Sequence, residues 1–185
     1  MASEIEVEIK FRIEDIPELE TRLRSSGFHL VTERTHEFNT LYDLPGDPLR
    51  SRGDLLRIRR YGSRWTVTFK SKGKTDRYKT RTEIETQVED GAVLSRMLEA
   101  VSFQPTFAYE KFRTEWGDGR GHVVIDQTPI GDFGEIEGAP DWIDSTAHLL
   151  GLHTNQYITE SYALLFFKWK QQTGSSARDM LFKQG

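Results

Sequence analysis

Charged residues recur along this chain in rows whose members are separated by a single residue, starting with Glu6 and Glu8. An E-x-E pair in an extended chain presents two carboxylates on one side, which suits a hard divalent cation such as Mg²⁺ or Mn²⁺. Paired arginines and lysines suit phosphate oxygens. In chain order the rows are Glu6, Glu8 and Lys10; Arg57 and Arg59; Lys70; Arg81, Glu83 and Glu85; Lys111 and Arg113; Asp126; and Glu135 and Glu137.

The elements that carry these rows are predicted to be β-strands. Residues 4–13 alternate strictly, with Ile, Val and Phe at odd positions and charged residues at even positions. A period of two indicates a strand with one apolar and one charged face. The same pattern predicts strands at 4–13, 28–43, 55–61, 65–70, 80–88, 107–116, 122–126 and 133–137, and four helices at 16–26, 91–100, 141–150 and 159–171.

Eight strands with hairpin-length connections favour an α+β fold in which an antiparallel β-barrel is closed and the helices pack outside it. The helices must cover the apolar faces, so the charged rows face the lumen. Buried charges are costly unless they are paired, solvated or bound to ions. The alternative is a network of internal salt bridges that neutralise one another without a ligand. Because a packed apolar core would be more stable than so much buried charge, the retention of these charges favours a site for a polyphosphate held with Mg²⁺ or Mn²⁺.

Two segments between strands are predicted to be loops. Residues 44–54 are rich in turn formers, and residues 71–79 are basic and contain Gly73. The second loop is either a solvated surface loop or a lid over the substrate. The five histidines, His29, His36, His122, His148 and His153, do not cluster in the sequence, so a histidine metal site is not expected.

Composition narrows the function classes. The 185 residues carry a net charge of −4, which disfavours a nucleic-acid surface, and the absence of cysteine excludes disulfides and thiolate chemistry. No apolar run is long enough to cross a membrane. Because the chain opens directly on a charged strand, no secretory leader is expected and a cytoplasmic location is predicted. The expected partner is a small-molecule triphosphate, and a homodimer is compatible with the sequence.

The rows, in this order, resemble the CYTH superfamily, the triphosphate tunnel metalloenzymes. Glu6-Val-Glu8-Ile-Lys10 is similar to its E-x-E-x-K signature, and the resemblance extends through Arg81 to Glu85, the Glu135 to Glu137 strand and Ser161-Tyr162. It implies a single tunnel domain over residues 4–171, followed by a loosely held tail at 172–185. The fold of that family is an eight-stranded tunnel, in agreement with the barrel argued above.

The resemblance also implies roles for individual residues. The triphosphate would be bound by Lys10, Arg57, Arg59, Lys70, Arg81, Lys111 and Arg113, with Lys168 as a late basic residue near the tunnel mouth and Lys170 as its alternative. Metal ions would be held by Glu6, Glu8, Asp126, Glu135 and Glu137. The catalytic set is Glu6, Glu8, Lys10, Glu83 and Glu85, in which carboxylates orient the attacking water.

Metal-dependent hydrolysis of inorganic triphosphate is the predicted function. A class IV adenylate cyclase, which forms cyclic AMP and pyrophosphate from ATP, is the first alternative; the chain lacks the His-Phe pair that some cyclases carry before E-x-E-x-K. Thiamine triphosphate would need an aromatic stack on a cationic ring, and Trp65 has the parity of the apolar face. RNA triphosphatase activity is disfavoured by the missing basic surface. A binding module without turnover is the third alternative.

Overall fold

A computed structural model describes residues 4–183 of the chain. Its strands are β1 (Glu4–Arg12), β2 (His29–Asp43), β3 (Leu55–Tyr61), β4 (Arg64–Lys70), β5 (Lys74–Thr75), β6 (Lys79–Val88), β7 (Gln104–Gly117), β8 (His122–Thr128) and β9 (Gly131–Glu137). Its helices are α1 (Ile16–Ser25), α2 (Pro48–Arg52), α3 (Gly91–Ala100), α4 (Pro140–Leu149) and α5 (Tyr162–Thr173).

Eight of the strands form a closed antiparallel barrel in the order β1-β9-β8-β7-β2-β3-β4-β6, and β6 returns to β1. The closing register pairs Glu6 with Arg81 and Glu8 with Lys79. The two-residue strand β5 only extends the barrel wall beside the start of β6. Closure pairs the strand edges and confirms the fold class predicted from the sequence.

The apolar strand faces point outward and are covered by helices, as predicted. Ile9, Trp116 and Val123 pack in one core with Leu23 of α1 and Ile143 of α4. Because side chains alternate along each strand, this outward set forces the intervening charged residues into the lumen. The helix starts are fixed locally, since Asp15, Asp90 and Ser161 accept backbone N–H bonds at the first turns of α1, α3 and α5.

The strand predicted at 28–43 is confirmed as β2, and its pairing with β7 is interrupted by register shifts. Two other segments differ from the sequence-based expectations. Residues 48–52 form the short helix α2 instead of a loop, with Pro48 in its first turn. Lys79, expected in the 71–79 loop, is the first residue of β6. The sequence alone did not show these because each depends on a tertiary partner.

The C-terminal segment is held against β7, in contrast to the loosely held tail expected at 172–185. Met180 is completely buried and exchanges backbone hydrogen bonds with the chain at Ala108 and Glu110. The segment fits there because β8 pairs only with the second half of β7, which leaves the first half of that edge free. Residues 184 and 185 lie outside the described residues. Within residues 4–183, none of the helices has the length and apolar character that a membrane crossing requires.

Candidate active site in the barrel lumen

The barrel encloses a cavity of about 580 Å³ whose wall is built from the charged rows. The strand register explains the assembly, because Lys10 lies opposite Glu135 and Lys70 lies opposite Glu83. The predicted residues that line the cavity are Glu6, Glu8, Lys10, Arg57, Arg59, Lys70, Arg81, Glu83, Glu85, Lys111, Arg113, Glu135 and Glu137.

Glu6 joins the strands at the closing seam of the barrel. Its carboxylate accepts from Lys70 Nζ at 2.8 Å and from Arg81 Nε at 2.9 Å. Burial by itself would raise the pKa of Glu6, but these two cations outweigh it and lower the pKa to about 2. Lys70 also contacts Glu83 at 2.6 Å, so one ammonium links two carboxylates of the wall.

The two arginines of β3 face carboxylates on β6 and β2. Arg59 donates from Nη2 to both oxygens of Glu85 at 2.9 Å and lies 3.8 Å from Glu37. Arg57 donates to Thr68 at 3.2 Å and lies 3.6 Å from Glu85. Each guanidinium is therefore held by protein acceptors while it still lines the cavity.

Asp126 organises the basic residues on the opposite wall. It is fully buried and accepts from Lys111 Nζ at 2.8 Å, from Arg113 Nε at 2.7 Å and from the Tyr162 hydroxyl at 2.7 Å. It does not line the cavity, in contrast to the metal-binding position implied by the family resemblance. Its oxygens are already bonded to three side chains, so the geometry fits a residue that positions the cations.

Glu135 and Lys10 form a second buried pair. Lys10 donates to one oxygen of Glu135 and Arg113 lies against the other. Burial opposes the charged form of Glu135, but Lys10, Arg113 and Lys111 together hold the pKa of this carboxyl well below its usual range. For Lys10 the balance is reversed in sign: burial would lower the pKa, and Glu135 and Glu8 raise it.

Glu137 differs from the other acids of the cavity. Within residues 4–183 it has no ion pair or side-chain hydrogen bond, although it is the cross-strand neighbour of Glu8. Glu137 is exposed at the cavity rim, where partial loss of solvation and the nearby carboxylates of Glu6, Glu8 and Glu135 raise the pKa of Glu137 to about 7. In the part of the chain that the structure describes, no three acidic or histidine residues are already gathered as a metal site.

Sequence reasoning missed three residues of the site, and both of its candidates for a basic residue at the tunnel mouth lie elsewhere. Lys79 lines the cavity and donates to Glu8 at 2.7 Å. Glu37 is fully buried near Arg59, Lys111 and Arg113, which outweigh burial and lower the pKa of this carboxyl. Tyr162 enters the lumen from α5. Lys168 is not brought to the cavity, because it is half exposed on α5 and pairs with Glu160. Lys170 is also outside the cavity and lies over the ring of Phe166.

One of the missed residues had a signal in the sequence, because Lys79 has the parity of Arg81, Glu83 and Glu85. Extending the row of Arg81, Glu83 and Glu85 by one position would have found Lys79, whereas Glu37 lies on β2, where no row was assigned, and only the strand register places it beside Lys111. Tyr162 had no such signal, because it comes from a helix that packs against the end of the barrel.

Comparison with known proteins places this barrel in a family. The family model of the CYTH domain matches residues 4–156, so the chain belongs to the CYTH domain family. Adenylate cyclase CyaB of Aeromonas hydrophila is 27% identical over 172 residues, which cover 86% of this chain and 87% of the relative. Members of this family are triphosphatases or adenylate cyclases, so the chain is an enzyme of that group.

Two solved structures show the same fold. A candidate adenylate cyclase from Vibrio parahaemolyticus superposes with a TM-score of 0.80 at 18% identity and covers 90% of this chain and 99% of its own. The Hippeastrum protein HpAC1, described as a candidate adenylyl cyclase with a dominant triphosphatase activity, has a TM-score of 0.65 at 19% identity. It covers 88% of this chain and 95% of its own.

Proposed function

We propose that the chain hydrolyses a triphosphate, inorganic triphosphate first, in the barrel lumen with a divalent metal ion. The observation that carries the proposal is the composition of the cavity wall. Fourteen of its 21 lining residues are charged, eight basic and six acidic, which favours a charged ligand over an apolar one. Cationic side chains converge there from five strands, so a chain of phosphates would meet donors along its whole length.

Binding would exchange one set of partners for another. In the free protein the basic residues are held by carboxylates, as Arg59 is by Glu85 and Lys70 is by Glu6. Phosphate oxygens would take over the donors of Lys10, Arg57, Arg59, Lys70, Lys79, Arg81, Lys111 and Arg113. The barrel is thereby preorganised for the substrate, because the cations are fixed before it arrives.

A divalent metal ion fits the acids that this exchange would release. Glu6, Glu8, Glu135 and Glu137 lie on the neighbouring strands β1 and β9 and offer only oxygen ligands, which Mg²⁺ and Mn²⁺ prefer. Glu37 and Asp126 lie behind the wall and bring the acids to eight, equal to the basic residues. The negative charge of a triphosphate would therefore be left without compensation unless cations accompany it.

The residues of this chain would supply position and charge to the reaction. When bound, the metal would neutralise phosphate oxygens and lower the pKa of a coordinated water. Lys10 and the arginines would hold the phosphorus in line with the attacking water, and most of the acceleration of phosphoryl transfer comes from such positioning. Glu6, Glu8, Glu83 and Glu85 would orient the water and accept hydrogen bonds from it.

We favour inorganic triphosphate over ATP and thiamine triphosphate as the substrate, because the described residues of the cavity wall include no exposed aromatic ring on which an adenine or thiamine ring could stack. Tyr109 and Tyr162 are buried and engaged with Arg57 and Asp126. Trp65 lies on the outer face, where its ring closely approaches Gly91 of α3. Adenylate cyclase activity is the second candidate, since CyaB carries that name and aligns over most of both chains.

The test is a parallel assay with Mg²⁺ or Mn²⁺. Phosphate release is measured from inorganic triphosphate, ATP and thiamine triphosphate, and cyclic AMP is measured in the ATP sample. Fast release from inorganic triphosphate alone supports the proposal. Cyclic AMP with pyrophosphate would assign the cyclase instead, and no turnover with tight triphosphate binding would assign a binding module.

A further inference from the structure

Tyr162 places one aromatic ring beside two lysine ammonium groups of the cavity. Lys10 Nζ lies 4.6 Å and Lys111 Nζ lies 4.8 Å from the centre of the ring. Both lysines and Tyr162 are more than nine-tenths buried. An ammonium at this distance from an aromatic ring is attracted by its π-electrons, and the attraction grows where water is excluded.

The hydroxyl of the same side chain contacts a third charged group of the lumen. It donates to Asp126 at 2.7 Å, and Asp126 also accepts from Lys111 and Arg113. Burial, Asp126 and Glu135 raise the pKa of the Tyr162 phenol well above its usual value, so the group remains a donor. Ring and hydroxyl together therefore contact three charged side chains of the lumen.

The chain around Tyr162 is also fixed. Ser161 caps α5, and Tyr162 is the first residue of that helix. Three residues earlier than this cap, Ile158 exchanges two backbone hydrogen bonds with Lys10 at 2.9 and 2.7 Å. The main chain of Lys10 and the ring against its ammonium are thus held by one short segment.

We propose that Tyr162 is a positioning residue that holds the ammonium groups of Lys10 and Lys111 side by side at the cavity wall. Lysine side chains are flexible, so without the ring each ammonium would follow its own carboxylate, Glu135 or Asp126. The importance of this arrangement for substrate binding rests on the proposed function. The arrangement itself does not.

The test compares Tyr162→Leu, which removes the ring, with Tyr162→Phe, which keeps it. Phe166→Leu is the matched control, because Phe166 packs in the same apolar cluster on α5 and the ammonium over its ring is that of Lys170, whereas Lys10 and Lys111 lie over Tyr162. Inorganic triphosphate is the probe in calorimetric titrations. Tyr162→Leu should weaken its binding about tenfold or more, with KM rising more than kcat falls, because two cation–π contacts are lost. Tyr162→Phe and Phe166→Leu should bind within about threefold of wild type.

A second measurement decides the positioning without a substrate. The side-chain NMR signals of Lys10 and Lys111 should be displaced by the ring current in wild type and in Tyr162→Phe, and should move to ordinary positions in Tyr162→Leu. Unchanged lysine signals in Tyr162→Leu, or equal weakening by Phe166→Leu, would overturn the inference. If wild type binds no triphosphate, the proposed function fails and the NMR comparison still decides the role of Tyr162.

Discussion

Glu8 and Glu137 are direct cross-strand neighbours in the barrel wall, yet their environments differ. Glu8 accepts from Lys79 at 2.7 Å, whereas Glu137 has no cationic partner within the described residues. Burial would raise the pKa of Glu8, but Lys10 and Lys79 help to lower it, while the pKa of Glu137 is raised to about 7. In the free protein Glu8 is therefore held in its charged form by lysines, whereas Glu137, which is unpaired within residues 4–183, has a carboxyl group that could bind a cation.

Glu8→Gln should abolish metal-dependent turnover while the fold stays intact. The amide keeps the shape of the side chain but loses the charge that would hold a cation, and we expect kcat to fall at least about 100-fold, since metal stabilisation of phosphate charge contributes several kcal/mol. Phosphate release and thermal unfolding are measured together. Glu14→Gln, at an exposed position after β1, is the control and should behave like wild type. Full activity of Glu8→Gln would rule out the metal assignment.

The pH dependence of stability should reveal Glu137. Its pKa in the folded protein, about 7, is above the ordinary 4.5, so its contribution to stability is present below about pH 4.5 and is lost as the pH rises to about 7. Relative to Glu137→Gln, the melting temperature of wild type should fall across this window in the presence of a chelator. Mg²⁺ should restore it at pH 8 in wild type and restore less in the variant.

Glu6 provides the control of opposite sign. Its folded pKa is lowered to about 2, so its contribution is present above about pH 4.5 and is lost as the pH falls towards 2. The difference between wild type and Glu6→Gln should therefore change only on the acid side. If the melting temperature depends on pH in the same way in wild type and in Glu137→Gln, the raised pKa of Glu137 is contradicted.

Arg59→Ala should weaken triphosphate binding strongly. A charged hydrogen-bonding group contributes about 1.5–3 kcal/mol, so KM should rise roughly 10- to 100-fold. Arg60→Ala is the matched control, because Arg60 is the next residue of β3 and is exposed on the outer face. An unchanged KM for Arg59→Ala would mean that the ligand does not contact the β3 row.

Strand periodicity was enough to predict the barrel and most of its lining. The alternation in β1, the hairpin at Gly62 and the cap at Asp15 are local signals, and the structure confirms each of them. Parity then assigned the charged rows to the lumen. It failed at Lys79, because the loop composition around Gly73 hid the start of β6.

Contacts between distant segments could not be predicted from one sequence. Met180 is buried because β8 leaves the first half of the β7 edge unpaired, and no local sequence pattern predicts this free edge. Lys168 of α5 pairs with Glu160, which precedes that helix, although the type and position of Lys168 resemble those of a basic residue at the tunnel mouth. Asp126 had the correct parity, but only the structure shows that its oxygens already hold Lys111 and Arg113.

Asp126→Asn should therefore destabilise the fold before it affects metal binding. The substitution leaves Lys111 and Arg113 buried near a neutral amide, and removal of one partner from a buried ion pair costs about 3–5 kcal/mol. Chemical denaturation of the ligand-free protein measures the loss, and Asp76→Asn, at an exposed position between β5 and β6, should change stability little. At a temperature where the variant remains folded, its Mg²⁺ concentration for half-maximal rate should stay within about threefold of wild type, well short of the 10- to 100-fold loss expected for a residue that supports a metal. A stable variant with a large Mg²⁺ requirement would restore Asp126 to the metal-binding set.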